Sequence, residues 1–120
     1  MRLVDKKNEI ALTIRGTGNY QLILMGNNYI IYEVIINEEK MEKASNIYEL
    51  TNPENNIIIR FNYSLTTCHQ MFYGIEDILT IDLSNFDSSK VNDTLGMFYG
   101  CKNLKSINFQ NFDTSSVKNM

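Results

Sequence analysis

Hydrophobic and polar residues follow two different periods along this chain, and the change falls near its middle. In the first half, apolar residues recur at every second position or form short runs rich in β-branched and aromatic side chains, which predicts strands. These runs are residues 10–14, 22–25, 29–36, 47–50 and 57–61. Turns are predicted where Gly, Asn and Pro cluster, at residues 16–19, 26–28 and 52–55. The pattern predicts an antiparallel β-rich domain over residues 1–56.

The second half repeats itself with an offset of 26 residues (97 − 71 = 26). The segment Met-Phe-Tyr-Gly at 71–74 recurs unchanged at 97–100, and Asn-Phe-Asp at 85–87 recurs at 111–113. A fixed period of roughly this length is the signature of a stacked repeat architecture. Each copy fits the leucine-rich-repeat frame, with Phe in the Asn position, and predicts a short strand. The predicted strands are residues 80–83 and 106–109.

A short helix is predicted after each of these strands. Val91, Leu95 and Phe98 are spaced i, i+4 and i+7, which places them on one helical face. Gly74 and Gly100 fall where such helices must end, and glycine suits the left-handed residue that commonly follows a helix. Side chains suited to capping the helices are Asp87, Ser88, Asp113 and Thr114. Large side chains at the repeat offset predict a core spine of Met71, Met97, Met120, Phe72, Phe98, Phe86 and Phe112.

The repeats predict a second domain over residues 57–120. Its predicted divisions are an initial rung at 57–70, a full repeat at 71–96 and an incomplete repeat at 97–120. A single repeat cannot bury its apolar face alone, so the β-rich domain is expected to cap the N-terminal end. At the other end, Ile107, Phe109 and Phe112 are expected to form an open apolar edge. We therefore expect the parent protein to continue with more repeats, or the chain to self-associate through this edge.

The repeat pattern Met-Phe-x-x-Cys-x-x-Leu-x-x-Leu-x-Leu-x-Asn-Phe-Asp-Thr-Ser-x-Val-x-x-Met resembles the BspA-like leucine-rich repeat, a surface-protein type of bacteria, mollicutes and several protists. Residues 97–120 match nearly every defining position, and residues 71–94 match with Ile75 and Thr94 in place of Cys and Met. The resemblance implies a leucine-rich-repeat solenoid with parallel strands on one face and short helices on the other. It also implies a role in adhesion or protein recognition, at the cell surface or as a secreted protein, and no catalytic residue.

Composition and charge narrow the function further. Hydrophobic residues make up 43% of the chain, which is ordinary for a folded protein, and the formal net charge is −3. This balance disfavours nucleic acid as a partner, because nucleic-acid surfaces need clustered Lys and Arg. The apolar runs are too short to cross a bilayer, and no signal peptide is visible in this chain.

The candidate ligand-binding surface is the outward row of the predicted parallel sheet. Its residues are Thr80, Asp82 and Ser84 on one rung and Ser106, Asn108 and Gln110 on the next. Adjacent rungs lie about 4.8 Å apart, so such a row would present hydrogen-bonding groups at regular spacing. The alternative is that these residues are only the polar face of a half-buried sheet.

The sequence gives weaker evidence for catalytic, metal-binding or glycosylation sites. Cys68 and His69 are adjacent, but no acid is placed in the sequence to orient the histidine, and we expect a packed or rim histidine. Together with Cys101 they supply three ligands, whereas a structural zinc site wants four, so neither a metal nor a cofactor is predicted. Both cysteines are expected to be free, buried thiols. Asn62 and Asn92 lie in N-glycosylation sequons, which become relevant only for a secreted eukaryotic protein.

The sequence as a whole predicts a non-enzymatic interaction or adhesion module that binds a protein or glycoprotein through the sheet face. An architectural spacer or intracellular scaffold with no dedicated ligand is the alternative. An enzyme housed in the β-rich half is disfavoured, because no convergent set of His, Asp, Glu and Cys is visible there.

Overall fold

The structure, a computed structural model, describes residues 8–21, 31–41, 47–115 and 117. Within these residues the chain is mainly β, as its sequence predicts, and it contains no α-helix. The described strands are β1 (Glu9–Arg15), β2 (Gly18–Gln21), β3 (Ile31–Ile36), β4 (Glu39–Lys40), β5 (Ile47–Leu50), β6 (Glu54–Phe61), β7 (Ile78–Asp82) and β8 (Ser106–Asn108). The apolar run at 22–25, the turn at 26–28 and Met120 lie outside the described residues.

Six of these strands form one mixed sheet in the order β4-β3-β6-β1-β7-β8, and β2 pairs with β5 in a separate two-stranded sheet. Within the larger sheet β7 and β8 are parallel, whereas the other neighbouring strands are antiparallel. Because β1 lies between β6 and β7, a single sheet joins the N-terminal strands to the strands of the 26-residue repeat.

The prediction that residues 57–61 are the first rung of the parallel sheet is wrong. These residues belong to β6, which runs antiparallel to both of its neighbours, β1 and β3. The place beside β7 is taken by β1, which pairs with β6 on one edge and with β7 on the other. The apolar alternation at 57–61 correctly indicates a strand, but alternation carries no information about which strand is the partner.

The hydrophobic core lies on one face of the six-stranded sheet. The buried hydrophobic residues of β1 and β6 on this face are Ile10, Leu12, Ile14, Ile57, Ile59 and Phe61. Tyr48 and Leu50 of β5 join the same core, as do Met71 and Phe72 from the turn before β7. Each fully buried aliphatic side chain contributes about 1.5–3 kcal/mol through burial, so this face holds the sheet and the turns together.

The turns that precede β7 and β8, residues 66–74 and 92–100, stack directly on each other. Every second N–H group along residues 68–74 donates to a carbonyl of the second turn, at N···O distances of 2.7–2.9 Å. These bonds join Cys68 to Asp93, Gln70 to Leu95, Phe72 to Met97 and Gly74 to Tyr99. Aromatic rings one repeat apart also stack, with centroids 6.4 Å apart for Phe72 and Phe98, 5.2 Å for Tyr73 and Tyr99, and 6.2 Å for Phe86 and Phe112. The repeat in the sequence is therefore a repeat in space.

The predicted helix through Val91, Leu95 and Phe98 is wrong. The N–H groups of the second turn that are bonded within it reach back three residues, and alternate carbonyls from Asp93 to Tyr99 accept from the first turn. Gly96 has φ +67°, and a single left-handed residue interrupts an α-helix. Leu95 is 47% exposed, so it does not share a buried stripe with its predicted neighbours. The turns are therefore held by backbone hydrogen bonds to each other, and not by the i to i−4 bonds of an α-helix.

The residues predicted to cap these helices act on turns instead. Asp87 Oδ1 accepts the Ser89 N–H at 3.1 Å, and Asp113 Oδ1 accepts the Ser115 N–H at 2.8 Å. Ser88 is buried, and its Oγ accepts the Asp113 N–H at 2.8 Å, which links two successive repeats. Thr114 lies beside an apolar cavity at the end of the stack. Short polar side chains at these positions therefore satisfy backbone N–H groups, although no helix begins there.

Candidate functional site

The predicted ligand-binding residues of β7 and β8 lie side by side in the sheet. Thr80 pairs with Ser106 and Asp82 pairs with Asn108 in a parallel register, with Ile81 and Ile107 between them pointing to the opposite face. Ser84 and Gln110 follow the two strands at the same relative position. The structure thus brings together the row of six polar residues that the 26-residue repeat predicts.

Strand β1 adds residues to this row that the sequence did not indicate. Thr13 pairs with Thr80 across the sheet, and their Oγ1 atoms are 2.6 Å apart. Ala11 lies opposite Asp82 on the same face. Thr13 and Thr80 are 67 residues apart in the chain, so only the sheet pairing could reveal the contact. The candidate face is therefore three strands wide. We call the outward residues of β1, β7 and β8, together with Ser84 and Gln110, the outer face.

Two of the candidate residues, Asp82 and Asn108, form hydrogen bonds that stabilise the fold. Asp82 Oδ1 accepts the Ser84 N–H at 2.9 Å, and Asn108 Oδ1 accepts the Gln110 N–H at 2.9 Å. Each side chain thus closes the tight turn that follows its strand. Carboxylate and amide oxygens both accept hydrogen bonds, which explains why Asp and Asn alternate at this repeat position. One oxygen of Asp82 and the oxygen of Asn108 hold the turns together.

Accessibility differs between the two rungs. Thr80, Asp82 and Ser84 are half-buried, since β1 and β8 flank their strand. Their counterparts Ser106, Asn108 and Gln110 are exposed. A ligand approaching the outer face would therefore contact the β8 rung most fully.

A charged cluster lies on the same sheet, toward its other edge. Arg60 of β6 donates to Glu9 Oε1 at 3.0 Å and to Glu33 Oε1 at 2.6 Å, and Lys40 Nζ is 3.3 Å from Glu33 Oε2. The hydrogen bond from Arg60 lowers the pKa of the Glu33 carboxyl, and the nearby Lys40 lowers it further. The paired residues come from four strands, β1, β3, β4 and β6, so no local motif could have predicted the cluster.

Cys68 and His69 do have an acidic neighbour, which corrects the prediction from sequence. The Nδ1 atom of His69 lies 3.2 Å from Asp93 Oδ2, on the turn stacked one repeat later. Cys68 is fully buried, and this burial, with a smaller effect from Asp93, raises the pKa of its thiol to about 12. The thiolate is the nucleophilic form of cysteine, so this group is unsuited to nucleophilic catalysis at neutral pH. Asp93 Oδ1 also accepts the Leu95 N–H at 2.9 Å, a structural role.

The cysteines and the sequon asparagines were the other candidate groups. Both cysteines are free; Cys101 is half-buried, and burial raises the pKa of its thiol. Among the described residues, no three His, Cys, Asp or Glu side chains are grouped as they would be around a metal ion. The sequon residues Asn62 and Asn92 are exposed. The part of the chain described here holds no helix of the length and apolarity needed to cross a bilayer.

An apolar cavity lies at the last of the stacked turns that the structure describes. A cavity of about 400 Å³ is lined there by Met97, Phe98, Phe109 and Phe112, together with Thr94, Gly96, Tyr99 and Thr114. Phe109 is 51% exposed, and its ring packs edge-on against Phe98 and Phe112 at centroid distances of 6.2 and 6.1 Å. Ile107 is half-buried. These residues include the apolar edge that the repeat pattern predicts.

Comparison with known families places the repeat region in a named group. The profile of a family described as "Mycoplasma protein of unknown function, DUF285" matches residues 37–120, which is more than half of the chain. The chain belongs to the DUF285 family. Neither a curated protein nor a solved structure gave a significant match.

The DUF285 region contains all six predicted ligand-binding residues but not the whole outer face. The match includes strands β4 to β8, whereas β1, which contributes Thr13 and Ala11, precedes it. Part of the charged cluster also lies outside, since Glu9 and Glu33 come before residue 37. The outer face is therefore built jointly by the DUF285 region and by β1, which precedes it.

Proposed function

We propose that this protein is a non-enzymatic interaction or adhesion module that binds a protein or glycoprotein through the outer face. In this proposal the N-terminal strands cap a BspA-like leucine-rich-repeat solenoid. The observation that carries it is the in-register parallel pairing of β7 and β8, which aligns Thr80 with Ser106 and Asp82 with Asn108 at the repeat offset. Repeat proteins use such regularly spaced rows as extended binding surfaces.

The width of the outer face supports this use. A stable protein interface buries about 800 Å² on each partner, which two short rungs alone would scarcely provide. Strand β1 adds a third strand through the Thr13–Thr80 contact. The face is polar and hydrogen-bonding rather than apolar, which suits a ligand that brings its own hydroxyl, amide or backbone groups, as proteins and glycans do.

The resemblance to BspA-like surface proteins supports a location at the cell surface or outside the cell. Adhesion to a protein or glycoprotein is the corresponding role. A purely architectural spacer would need no accessible polar row, and it is the alternative that the following experiment tests.

The experiment measures binding of the whole chain to plates coated with extracellular matrix proteins and to an array of protein-linked glycans. The test variant is Ser106→Arg combined with Gln110→Arg, which places bulky charges at exposed positions of the β8 rung. The control is Lys90→Ser, which alters an exposed residue in a turn between the strands. We expect the double variant to lose binding at least tenfold while the control binds normally.

Three results would contradict the proposal. These are equal binding by the double variant, equal loss in the control, and binding of the unmodified chain to none of the coated proteins or glycans. Circular dichroism and the urea midpoint must show that the double variant is folded. The last of the three results would favour the spacer.

A further inference from the structure

A cleft of about 380 Å³ lies between strand β2 and the segment that leads into β7. Residues 19–21 line one side of it, and residues 73–77 line the other. We call this the β2 cleft, and none of its residues belongs to the outer face. Small-molecule sites occupy about 300–1,000 Å³, so the β2 cleft has room for a small ligand.

Hydrogen bonds between distant segments hold the two sides of the β2 cleft in place. The Tyr20 hydroxyl donates to Asp77 Oδ2 at 3.0 Å, which ties one side to the other. The Arg15 N–H donates to the Asp77 carbonyl at 2.8 Å, and the backbone and side-chain N–H groups of Asn103 donate to the Glu76 carbonyl at 3.1 and 2.9 Å. A site that is fixed before binding loses less entropy when a ligand enters, which favours binding.

Tyr73 provides an accessible aromatic ring in the β2 cleft. The residue is 40% exposed, and its ring stacks on that of Tyr99 with the centroids 5.2 Å apart. Stacking therefore orients the ring without covering it completely. The next residue, Gly74, has no side chain, and a Cβ atom placed there would meet no atom within 4 Å. A ring with open space beside it suits a ligand that has a flat apolar face.

The acids of the β2 cleft are paired with bases. Asp77 Oδ1 is 3.3 Å from Arg15 Nη2, and Glu76 Oε2 is 3.7 Å from Lys102 Nζ. Each carboxylate therefore has an opposite charge beside it, which leaves little net field to attract an ion. The cleft is better suited to a neutral ligand than to an anion or a cation.

The same cleft offers hydrogen-bonding groups of both kinds. Glu76 is exposed, and its carboxylate accepts hydrogen bonds. Asn19 and Gln21 are also exposed, and an amide side chain both donates and accepts. A hydroxyl group does both as well, so a ligand rich in hydroxyls can bond to each of these side chains.

We propose that the β2 cleft binds a neutral sugar. One face of a sugar ring consists of C–H groups, and it packs on the electron-rich face of the Tyr73 ring. The hydroxyls of the sugar bond to the Glu76 carboxylate and to the amides of Asn19 and Gln21. The outer face takes no part in this binding, so the inference does not rest on the proposed function.

An organic cation is the competing ligand, because a cation also packs on the face of a tyrosine. Arg15 and Lys102 argue against it, since both would stand beside the incoming positive charge. A small quaternary ammonium ion is therefore included in the test.

The test is saturation-transfer NMR on the whole chain with glucose, galactose, mannose, fucose, N-acetylglucosamine and N-acetylgalactosamine. A single sugar ring in a small cleft binds with a dissociation constant on the order of millimolar, which NMR detects without the washing steps of a plate assay. We expect saturable binding of at least one of these sugars, with the strongest transfer to the C–H protons of one ring face.

Tyr73→Ala should weaken that binding about fivefold or more, because it removes the ring on which the sugar packs. Tyr73→Phe keeps the ring and should bind within about twofold of the unmodified chain. The matched control is Tyr99→Ala, which breaks the same stacked pair although Tyr99 does not line the β2 cleft. It should also bind within about twofold of the unmodified chain.

A second pair of variants tests the hydrogen bonds. Glu76→Ala removes a carboxylate from the β2 cleft but keeps the backbone carbonyl to which Asn103 donates, and it should weaken sugar binding. Its control is Glu49→Ala, which removes an exposed carboxylate of β5 that lies outside the cleft. Circular dichroism checks that each variant is folded, and the Glu76 and Glu49 pair decides the question if Tyr73→Ala is unfolded.

Three results would overturn the proposal. The first is that none of the six sugars binds saturably, and the second is that a test variant and its control lose binding equally. The third is saturable binding of tetramethylammonium that Tyr73→Ala abolishes, which would assign the β2 cleft to a cation.

Discussion

A Cβ atom on Gly100 would lie 3.1 Å from the Cα of Gly74, one repeat earlier in the stack. Both glycines have a left-handed backbone, with φ +81° and +74°. The Gly74 N–H donates to the Tyr99 carbonyl at 2.7 Å, so its backbone cannot easily move away. A Cβ on Gly74, in contrast, would meet no atom within 4 Å. A side chain at Gly74 would meet backbone strain alone, whereas one at Gly100 would meet both backbone strain and crowding between the turns.

Gly100→Ala should therefore destabilise the protein more than Gly74→Ala. Both changes place a side chain on a left-handed residue, which costs about 1–2 kcal/mol. Only Gly100→Ala also crowds a hydrogen-bonded backbone, and overpacking adds about 1–3 kcal/mol. Urea unfolding of the two variants measures the difference directly. Equal midpoints would show that the turns can separate without cost.

The turn that closes after β7 depends on the side chain of Asp82. Asp82→Ala removes the acceptor of the Ser84 N–H and should lower the free energy of unfolding by about 0.5–1.5 kcal/mol. Asp82→Asn should be nearly neutral, because Asn108 makes the same bond at the same repeat position. Urea titrations at pH 7 compare the two variants. A loss in Asp82→Asn equal to that in Asp82→Ala would indicate that charge, rather than the turn bond, is what matters.

Asn55 is fully buried and links three segments of the chain. Its Nδ2 group donates to the carbonyls of Gly16 and Asn52 at 2.9 and 3.0 Å, and its Oδ1 accepts from the Asn37 side chain at 2.9 Å. Asn55→Leu removes the side-chain partner of each of these groups, at about 1–3 kcal/mol for each group that water cannot reach. We expect a large loss of thermal stability, measured by calorimetry.

The neighbouring Asn56 supplies a matched control for that prediction. Its side chain is exposed, and its backbone N–H rather than its side chain bonds to Asn37. Asn56→Leu should therefore change the midpoint little. Similar losses in the two variants would mean that Asn55 matters for strand propensity and not for its hydrogen bonds.

Acid should weaken the protein partly through Glu33. The hydrogen bond from Arg60 lowers the pKa of this carboxyl below its ordinary value of 4.5. A carboxyl with a depressed pKa in the folded state stabilises the fold fully above its unfolded pKa. That contribution disappears as the pH falls through the lower, folded pKa. Glu33→Gln should therefore flatten the fall in unfolding free energy below about pH 4.5, relative to the unmodified chain.

Glu39→Gln is the control for this pH dependence, since Glu39 is an exposed residue of the short strand β4. Its pH profile should follow that of the unmodified chain. Urea midpoints collected between pH 3 and pH 7 make the comparison. A profile for Glu33→Gln that is as steep as the control's would show that the Arg60 pair contributes nothing.

Local patterns predicted much of the architecture. Apolar alternation located β1, β5 and β6, because every second side chain of a strand must face the core. The 26-residue repeat located β7 and β8 and the stacked pairs Phe72–Phe98 and Phe86–Phe112. Repeated residues in stacked turns must meet the same neighbours, which is why the offset predicted contacts as well as elements.

The helix prediction failed for an instructive reason. The i, i+4, i+7 spacing of Val91, Leu95 and Phe98 is compatible with a helix, but it is equally compatible with a series of turns that buries Val91 and exposes Leu95. The deciding factor is where the carbonyl groups find their donors. Here the donors lie in the adjacent turn, and the residue pattern of a single repeat does not show which other segment lies next to it.

The sequence by itself determined that this is a mainly β protein with a 26-residue repeat, and it predicted that polar residues at the repeat offset in and after β7 and β8 would lie side by side. It did so because period and offset are properties of neighbouring residues in the chain. Only the tertiary structure decided that β1 lies between β6 and β7, that Thr13 joins the outer face, and that successive turns bond to each other instead of forming helices. These facts depend on backbone hydrogen bonds between distant segments, and every non-proline residue carries the same backbone groups whatever its side chain.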